Sequence, residues 1–311
     1  MDRRLIAIVG PTGAGKSALA LDLAETFQGE IVNCDSLQLY RGFDIGSAKT
    51  PRAERRGIPH HLLDVLNPAQ EFSAGEYART ARAALEEISA RGRLPLLVGG
   101  SGFYLRALLE GLPELPMRDE ALRAKLVQRE RKRPGSLHKL LTRLEPNAAR
   151  RIHANDTQKL IRALEVRILT RRSLPGSESA QPLQGYSVLK IGLGPDRASL
   201  YARLDERVQA MFTGGLVEEV RGLLSRGASG REKPFEALGY KQALRYIRGE
   251  RTLVEAIAFT QLETRQYAKR QWTWFRRDKE IRWLHGLGDD TAICEQAREI
   301  TRKNLQNSST P

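Results

Sequence analysis

The sequence predicts an α/β fold in which a P-loop NTPase-like parallel sheet is flanked by helices and carries an inserted all-helical subdomain. Three observations support this prediction. Strand and helix patterns alternate over the first 110 residues, a glycine-rich loop joins the first strand to the first helix, and residues 117–172 carry helix signals only. The predicted catalytic core comprises residues 1–116 and 187–311 with C-terminal helices, and the predicted insertion comprises residues 117–186.

The individual elements follow from apolar spacing. Continuous apolar runs predict strands at residues 5–9, 31–34, 95–98 and 188–193, and a weaker run predicts a short strand at 62–66. Spacings of three and four predict helices at 18–27, 76–90 and 103–110, and helices again from the last strand to about residue 277. Residues 175–182 are expected to form a flexible return, and residues 304–311 a frayed polar tail.

The glycine-rich loop GPTGAGKS has P-loop spacing: glycine, four residues, glycine, lysine and a hydroxyl residue. Its glycines allow consecutive backbone N–H groups to surround a phosphate, and the following helix directs its positive dipole end at the same anion. Lys16 adds a mobile charge, and Ser17 is a candidate Mg²⁺ ligand. The loop predicts a di- or triphosphate site; the alternative is a turn that binds nothing. Its residues are Gly10, Pro11, Thr12, Gly13, Ala14, Gly15, Lys16 and Ser17.

Composition and charge narrow the class of protein. A chain of 311 residues with 41% hydrophobic and 28% charged residues is typical of a soluble globular protein. The absence of a long apolar run argues against a membrane protein, and the start of the chain argues against secretion, so a cytoplasmic location is expected. Cys34 and Cys294 fit no metal spacing and are expected to be reduced thiols.

The net charge of +14 is unevenly distributed. Residues 117–175 contain 16 Lys and Arg against 6 Asp and Glu, an excess of +10. A solvated helical surface accounts for part of this excess. A block of one sign this large nevertheless favours a polyanionic partner, and we expect a nucleic acid.

Other residues are candidates for chemistry near the P-loop. Asp35 ends the second strand, so its carboxylate is a candidate general base or metal ligand at the same sheet edge, the alternative being a helix N-cap. The turn at 99–102 brings Ser101 to a ligand, or simply permits close packing. His60 and His61 lack further metal ligands nearby, which favours a structural role.

Two helices are candidates for nucleic-acid contact. Gln158 and Arg162 share one face of a helix, and periodicity alone does not distinguish RNA contact from solvation. In the segment RQYAKRQWTWFRR, a helical wheel places phosphate-binding cations and an aromatic suited to base stacking on one side, for which RNA contact is expected and a solvated surface is the alternative: Arg265, Lys269, Trp272 and Arg276. The opposite side is expected to pack in the core: Tyr267, Ala268, Gln271, Trp274 and Phe275.

Taken together, the motifs resemble those of the tRNA dimethylallyltransferase family. The match covers nearly the whole chain in order: GPTGAGKS at 10–17, DSLQLYRGFDIGSAKT at 35–50, PHHLLDV at 59–65, FSAGEYA at 72–78, VGGSGFYL at 98–105, NDTQKLIRALEV at 155–166, LGYKQ at 238–242 and AKRQWTWFR at 268–276. The second and sixth blocks are the most specific. Departures are conservative at Ser47 and Ser101, where threonine is usual; Thr50 and Ala237 replace a common proline and cysteine.

The resemblance implies transfer of a dimethylallyl group from dimethylallyl diphosphate to the exocyclic amine of the adenosine 3′ of the anticodon. It implies that Asp35 is the base, that Arg207 contacts the diphosphate, that Thr12 and Ser101 lie beside the reacting groups, and that Lys16 and Mg²⁺ neutralise the leaving group. Metal ligands would be Ser17 and Asp35. The residues expected to bind the tRNA anticodon stem-loop are Asp35, Ser36, Leu37, Gln38, Ser101, Arg123, Gln158, Lys159, Leu160, Ile161, Arg162, Gly239, Tyr240, Lys241, Lys269, Arg270, Trp272 and Arg276.

Three alternatives remain at the level of sequence. A P-loop kinase or NTPase has no evident need of a basic insertion, and transfer to a free adenine nucleotide would make that insertion superfluous. A non-catalytic RNA-binding module would use the P-loop only as a switch. A monomer is expected.

Overall fold

The computed structural model describes residues 3–113, 115–174 and 180–306. A six-stranded, entirely parallel sheet lies at its centre, formed by β1 (Arg3–Val9), β2 (Gly29–Asn33), β3 (His60–His61), β4 (Leu94–Val98), β5 (Tyr186–Leu193) and β6 (Arg282–Leu284). The strand order is β3-β2-β4-β1-β5-β6. Residues Leu5 to Val9 of β1 are buried, as expected for a parallel strand covered on both faces. The predicted α/β class with a parallel sheet is confirmed.

Helices account for most of the remaining described residues. Those of the sheet-containing part are α1 (Lys16–Phe27), α2 (Ala74–Ala90), α3 (Gly102–Leu109), α8 (Arg197–Thr213), α9 (Leu216–Ser225), α10 (Tyr240–Ile247), α11 (Leu253–Phe275) and α12 (Thr291–Gln306). Between α3 and β5 the chain forms α4 (Glu120–Lys132), α5 (Ser136–Leu144), α6 (Pro146–Arg151) and α7 (Thr157–Thr170).

Helices α8 and α11, whose side chains reach the P-loop region, begin at well-formed caps. The Asp196 carboxylate accepts hydrogen bonds from the backbone N–H groups of Ala198 and Ser199 at the start of α8. Thr252 and Glu255 form a capping box at the start of α11. Such caps satisfy backbone donors that have no partner inside the helix, so both helix starts are fixed by local sequence.

The chain divides into two compact units. One comprises Met1–Leu109 and Leu183–Pro311 and contains the sheet, which has one apolar cluster on each side. The other, Glu110–Pro182, is helical and has a core of its own, built from residues such as Leu137, Leu160 and Leu164.

Two local expectations were wrong, and one strand was missed. The predicted strand at 62–66 is replaced by β3 at His60–His61, because Leu62 and Asp64 have positive φ angles that end the extended backbone. Strand β6 was not predicted, since its three residues are too short for an apolar pattern. Residues 304–306 continue α12 and do not fray from it, whereas 307–311 and 175–179 lie outside the described residues.

Candidate active site at the carboxyl edge of the sheet

The P-loop connects the end of β1 to α1. Gly15 has φ 85° and immediately precedes α1, and a Cβ atom at this position would lie 2.6 Å from the backbone nitrogen of Gly288. Both the left-handed backbone and the close approach therefore require glycine here. The Lys16 ammonium donates a hydrogen bond to the Pro11 carbonyl at 2.8 Å, which folds the lysine side chain back over the loop.

A cavity of about 230 Å³ opens in front of this loop. Because β1, β2 and β4 are parallel, the segments after all three strands meet at this edge of the sheet. The polar residues lining the cavity are Thr12, Lys16, Ser17, Asn33, Asp35, Gln38, Ser47, Thr50, His60, Arg203 and Arg207, and its other lining residues are Gly13, Gly15, Ala18, Ala20, Ile31, Ala48, Leu63, Val98 and Gly99. The predicted phosphate-binding loop and the predicted base thus face one space.

The charged side chains that line this cavity are three cations, Lys16, Arg203 and Arg207, and one carboxylate, Asp35. Burial lowers the pKa of Lys16 to about 8, an effect that nearby Asp35 opposes and Arg207 reinforces. Burial also lowers the pKa of Arg207 to about 10. The Nη2 atom of Arg207 donates to Thr12 Oγ1 at 2.7 Å, whereas its Nε is buried with no hydrogen-bond partner among the described residues. The site therefore holds concentrated, incompletely neutralised positive charge, which suits a multiply charged anion.

Asp35 follows β2 in a turn rather than at the start of a helix. Its Oδ1 accepts a hydrogen bond from the Leu37 backbone N–H at 2.9 Å, and its own N–H donates to Asn33 Oδ1 at 2.9 Å. The N-cap alternative therefore does not apply, because residues 36–39 form turns. The carboxylate is half-buried and held by its own loop beside the cations.

The second glycine turn, residues 99–102, is both a close-packing turn and a support for the Asp35 loop. A Cβ atom on Gly99 would lie 2.1 Å from the carbonyl oxygen of Cys34, so the turn packs directly against the end of β2. Ser101 Oγ accepts a hydrogen bond from the Ser36 backbone N–H at 3.2 Å. Gln38, farther along the same loop, donates to the Ser47 carbonyl at 3.1 Å.

The exposed side of α11 differs from the prediction. Lys269 and Arg270 are exposed as expected, but Trp274, assigned to the core, is 40% exposed. Trp272 is half-buried instead, stacked on Trp283 of the unpredicted strand β6 with ring centroids 5.5 Å apart. Arg265, assigned to the same RNA-facing side, forms an ion pair with Asp205. The residues that line a surface cavity of about 430 Å³, called the α11 groove below, are Gln266, Lys269, Arg270, Thr273, Trp274 and Arg277.

Around α10, Tyr240 is fully buried and cannot contact tRNA with its side chain. Its hydroxyl donates to the Glu219 carboxylate and accepts from the Gly46 backbone N–H. Gly239 has φ 84° and starts the helix, and Lys241 is half-buried beside Glu263. The predicted tRNA contact is therefore corrected for the Tyr240 side chain, which is a core position, whereas Lys241 keeps a partly exposed side chain.

Within the helical unit, the predicted contact residues fall into two groups. Gln158 and Lys159 are exposed, whereas the side chains of Leu160 and Ile161 are buried in the core of this unit and are unavailable for contact. Arg162 Nη1 donates to Glu165 at 2.6 Å and its Nη2 donates to the Pro116 carbonyl at 2.9 Å.

Glu165 explains this arrangement. Its side chain is fully buried, and it accepts hydrogen bonds from Arg162, from Arg123 at 3.4 Å and from the backbone N–H of Asp119 at 2.9 Å. Because a buried carboxylate requires such partners, Arg123 and Arg162 have a structural function within the unit. Of the two residues predicted to share a face, Gln158 is thus exposed, whereas the Arg162 guanidinium is bound to Glu165 and to the Pro116 carbonyl.

No cluster of three or more His, Cys, Asp or Glu side chains suited to a metal occurs in the described part of the chain. His61 pairs with Glu30 of the neighbouring strand β2 at 2.7 Å, and His60 hydrogen-bonds the Ile58 carbonyl at 2.8 Å. Ser17, exposed in the first turn of α1, and Asp35 both line the cavity. One hydroxyl and one carboxylate beside an anion site fit Mg²⁺, which usually takes few protein ligands and completes its shell with phosphate oxygens and water.

Comparison with known proteins assigns the chain to a family. The IPP transferase family model matches residues 38–278. A tRNA dimethylallyltransferase of Solibacter usitatus is 58% identical over 305 residues, which are 97% of this chain and 99% of that protein. The chain belongs to the IPP transferase family.

Solved structures of related proteins have the same fold. The full-length tRNA isopentenylpyrophosphate transferase of Bacillus halodurans aligns with TM-score 0.74 and 36% identity, over 99% of this chain and 98% of that one. A eukaryotic dimethylallyltransferase acting on tRNA aligns with TM-score 0.81 and 26% identity, over 98% of this chain and 80% of that one. Of the described helices in this IPP transferase family member, none has the length and apolar character needed to span a membrane.

Three interactions that hold the P-loop in place were not predicted from the sequence. Gln271 was assigned only to the core, yet its side chain bonds both glycine-rich turns. Gly288 N–H donates to the Ala14 carbonyl at 2.8 Å, and Arg203 pairs with Asp289 at 2.7 Å next to the loop. No local pattern identifies them, because each acts on a P-loop that is distant in sequence.

Proposed function

We propose that this chain is a tRNA dimethylallyltransferase that transfers a dimethylallyl group from dimethylallyl diphosphate to the exocyclic amine of the adenosine immediately 3′ of the anticodon. The observation that carries the proposal is the single cavity shared by Lys16, Arg207 and Asp35. Membership of the IPP transferase family and the names of its relatives specify the reaction class. The chemistry below follows from what each end of the cavity offers.

The cationic end suits the donor diphosphate. Backbone N–H groups at the start of α1, the Lys16 ammonium and the Arg207 guanidinium would stabilise the negative charge that grows as the carbon–oxygen bond breaks. The Nε of Arg207 has no hydrogen-bond partner within the described part of the chain, which supports this assignment, since a phosphate oxygen would satisfy it. Ser17 and Asp35 would hold a Mg²⁺ ion, which when bound adds further neutralisation of the diphosphate.

Asp35 is the proposed general base. The exocyclic amine of adenine is a weak nucleophile because its lone pair is delocalised into the ring. A carboxylate that accepts the amine proton as the new carbon–nitrogen bond forms lowers this barrier, and Asp35 is the carboxylate that faces the Lys16 and Arg207 end. Thr12 accepts a hydrogen bond from Arg207 and would hold it at the diphosphate. Ser101 accepts one from the backbone next to Asp35 and would hold the base at the acceptor amine.

The acceptor must reach this cavity from a folded anticodon loop, so its adenosine would leave the base stack. Exposed residues of two surfaces are proposed to bind the tRNA backbone. In the helical unit they are Gln158 and Lys159, and in the α11 groove they are Lys269 and Arg270, with Arg276 exposed near the end of the same helix. Ser36 and Gln38, beside Asp35, are proposed to contact the flipped base and its neighbours.

One assay tests the proposal and its alternatives. The protein is incubated with unmodified tRNA, Mg²⁺ and dimethylallyl diphosphate, and the tRNA is digested to nucleosides for mass analysis. Appearance of dimethylallyl-adenosine from tRNA, with no requirement for ATP, is expected. ATP hydrolysis without prenyl transfer would indicate a P-loop NTPase, and product formed only on free adenine nucleotides would remove tRNA as the acceptor.

A further inference from the structure

Gln271 lies at the junction of the two glycine-rich turns of the site. It belongs to α11, is 5% exposed, and its Oε1 accepts a hydrogen bond from the Thr12 backbone N–H at 2.8 Å. Its Nε2 donates to the Gly100 carbonyl at 2.8 Å. The side chain therefore bonds the P-loop on one side and the turn after β4 on the other.

Thr12 and Gly100, the two hydrogen-bond partners of Gln271, lie next to residues that are proposed to act in the reaction. Thr12 also accepts from Arg207 through its hydroxyl, so its backbone and its side chain are held by different helices. Gly100 precedes Ser101, whose hydroxyl accepts from the backbone N–H next to Asp35. Gln271 thus connects the cationic end of the cavity with the loop that carries the carboxylate.

The chemistry of this position admits few side chains. The Thr12 N–H needs an acceptor and the Gly100 carbonyl needs a donor, so the amide orientation of Gln271 is fixed by its partners. A glutamate would present an acceptor to the carbonyl unless it were protonated. The turn is also shaped around this side chain, because a Cβ atom on Gly100 would lie 2.2 Å from Gln271 Nε2.

We propose that Gln271 is a positioning residue, which fixes the spacing between the diphosphate-binding end of the cavity and the base. This inference rests on the proposed function, because the spacing matters only if Asp35 acts on an acceptor while the cations hold the leaving group. Small errors in such alignment reduce rates strongly even when both substrates bind. Diphosphate affinity, supplied by the loop amides and Lys16, should not depend on this spacing.

The first test compares Gln271→Ala with Gln261→Ala. Gln261 is a matched control, since it lies on the same helix and donates one hydrogen bond to a backbone carbonyl, that of Asp205, at 3.2 Å. Gln271→Ala should lower kcat by about 10- to 100-fold. Its affinity for inorganic diphosphate should stay within about threefold of wild type, the scale of a lost neutral hydrogen bond. Gln261→Ala should leave both unchanged. Unchanged kcat in Gln271→Ala, or an equal loss of kcat and diphosphate affinity, would overturn the positioning role.

The second test uses Gln271→Glu and pH. Only the protonated carboxyl can donate to Gly100, so the kcat of the variant relative to wild type should rise severalfold as the pH falls from 8.5 to 6. The titratable groups around this position are Tyr267 on α11, Arg207 on α8, and Lys16, Cys34 and Asp35 at the sheet edge. They are present in both proteins, so the ratio reports what the new carboxyl group adds, including its effect on their pKa values. A ratio independent of pH would contradict the proposal.

A third measurement separates this inference from the proposed function. Amide hydrogen exchange of the peptides containing Thr12 and Gly100 should accelerate in Gln271→Ala and stay unchanged in Gln261→Ala. If wild-type protein transfers no prenyl group, the proposed function fails, and exchange still decides whether the connection exists. Unaltered exchange in Gln271→Ala would refute the connection whatever the reaction.

Discussion

The sheet-containing unit and the helical unit use positive charge in opposite ways. In the first, Lys16 and Arg207 are partly buried residues that line a small cavity, and desolvation there lowers their pKa values. In the second, the cations lie mostly on the surface: helix α4 buries only Leu126 among its 13 residues, while five of them are Lys or Arg. A few preorganised charges suit a small, multiply charged anion, and many hydrated ones suit a polyanion.

The largest effect is expected from removing the helical unit. The Leu183 backbone N–H donates to the Leu109 carbonyl at 2.9 Å, so a short linker can join these residues without stretching the remaining fold. Affinity for tRNA should fall on the order of a thousandfold, and the slope of log affinity against log salt should flatten, because several phosphate contacts are lost. Filter binding across a salt series measures both.

Inorganic diphosphate binding by the shortened protein is the control, since its binding residues all lie in the remaining unit and should be unaffected. If the slope of log tRNA affinity against log salt did not change, the helical unit would not supply the phosphate contacts, and the proposed difference between the two units would be wrong. The tRNA site would then have to be the α11 groove.

Asp35→Asn should slow transfer by roughly a hundredfold or more while both substrates still bind, because the carboxylate no longer accepts the amine proton. Single-turnover rates at saturating tRNA and donor isolate this step from binding. Ordinary rates in the variant would reduce Asp35 to a turn residue that holds Leu37.

Lys16, in the sheet-containing unit, should titrate within the pH range that enzyme assays can cover. Since the pKa of Lys16 is about 8 in the folded protein, kcat/KM for the donor should fall as pH rises above 8, by up to about tenfold per unit. Lys16→Arg, whose charge persists, should lack this decline, and a decline of equal size in that variant would assign it elsewhere.

Stability should change in the other direction over the same range. The unfolded lysine has an ordinary pKa near 10.5. Between pH 8 and 10.5 the unfolded state therefore binds more protons than the folded state, so the contribution of Lys16 to stability rises with pH. Urea unfolding of wild type and Lys16→Met at pH 8 and 10 measures this difference.

The smallest effects should separate two charged residues of the helical unit. Glu165→Gln should destabilise this unit by roughly 1–3 kcal/mol, because Arg162 and Arg123 lose their buried counter-charge. Lys159→Ala removes only an exposed pair with Asp156, so stability should change by less than about 0.5 kcal/mol. Hydrogen exchange within residues 110–182 measures the first change.

RNA binding should respond in the reverse order, with a larger loss in Lys159→Ala than in Glu165→Gln. Lys159→Ala should reduce the salt slope by about one unit or less, the share of one phosphate contact. Equal losses of stability in the two variants would show that Glu165 is not the structural centre of this unit.

The parts of the site that sequence could predict are those encoded locally. The P-loop carries its conformation in its own glycines, and Asp35 follows from the rule that strand ends meet at one edge. Gln271 and Trp272 could not be assigned in this way. Their environments depend on residues 10–12 and on β6, and a helical wheel gives the angle of a side chain but not what packs against it.

Arg162 and Tyr240 illustrate the same limit from another direction. Their residue types suit RNA contact, and the family motif includes both positions. In the structure Arg162 donates to the buried Glu165, three residues later on the same helix, and Tyr240 donates to Glu219, 21 residues earlier on another helix. A motif therefore identifies positions under constraint without saying whether the constraint is contact with a ligand or with the rest of the fold.

The supports of the P-loop also have a consequence for the order in which the protein is made. A ribosome produces Thr12 259 residues before Gln271, and Gly288 follows later still. During synthesis the P-loop thus exists without the side chain that fixes Thr12 and without the backbone that covers Gly15. The diphosphate-binding loop can therefore reach the conformation seen here only after the segment that includes Gln271 and Gly288 has been synthesised.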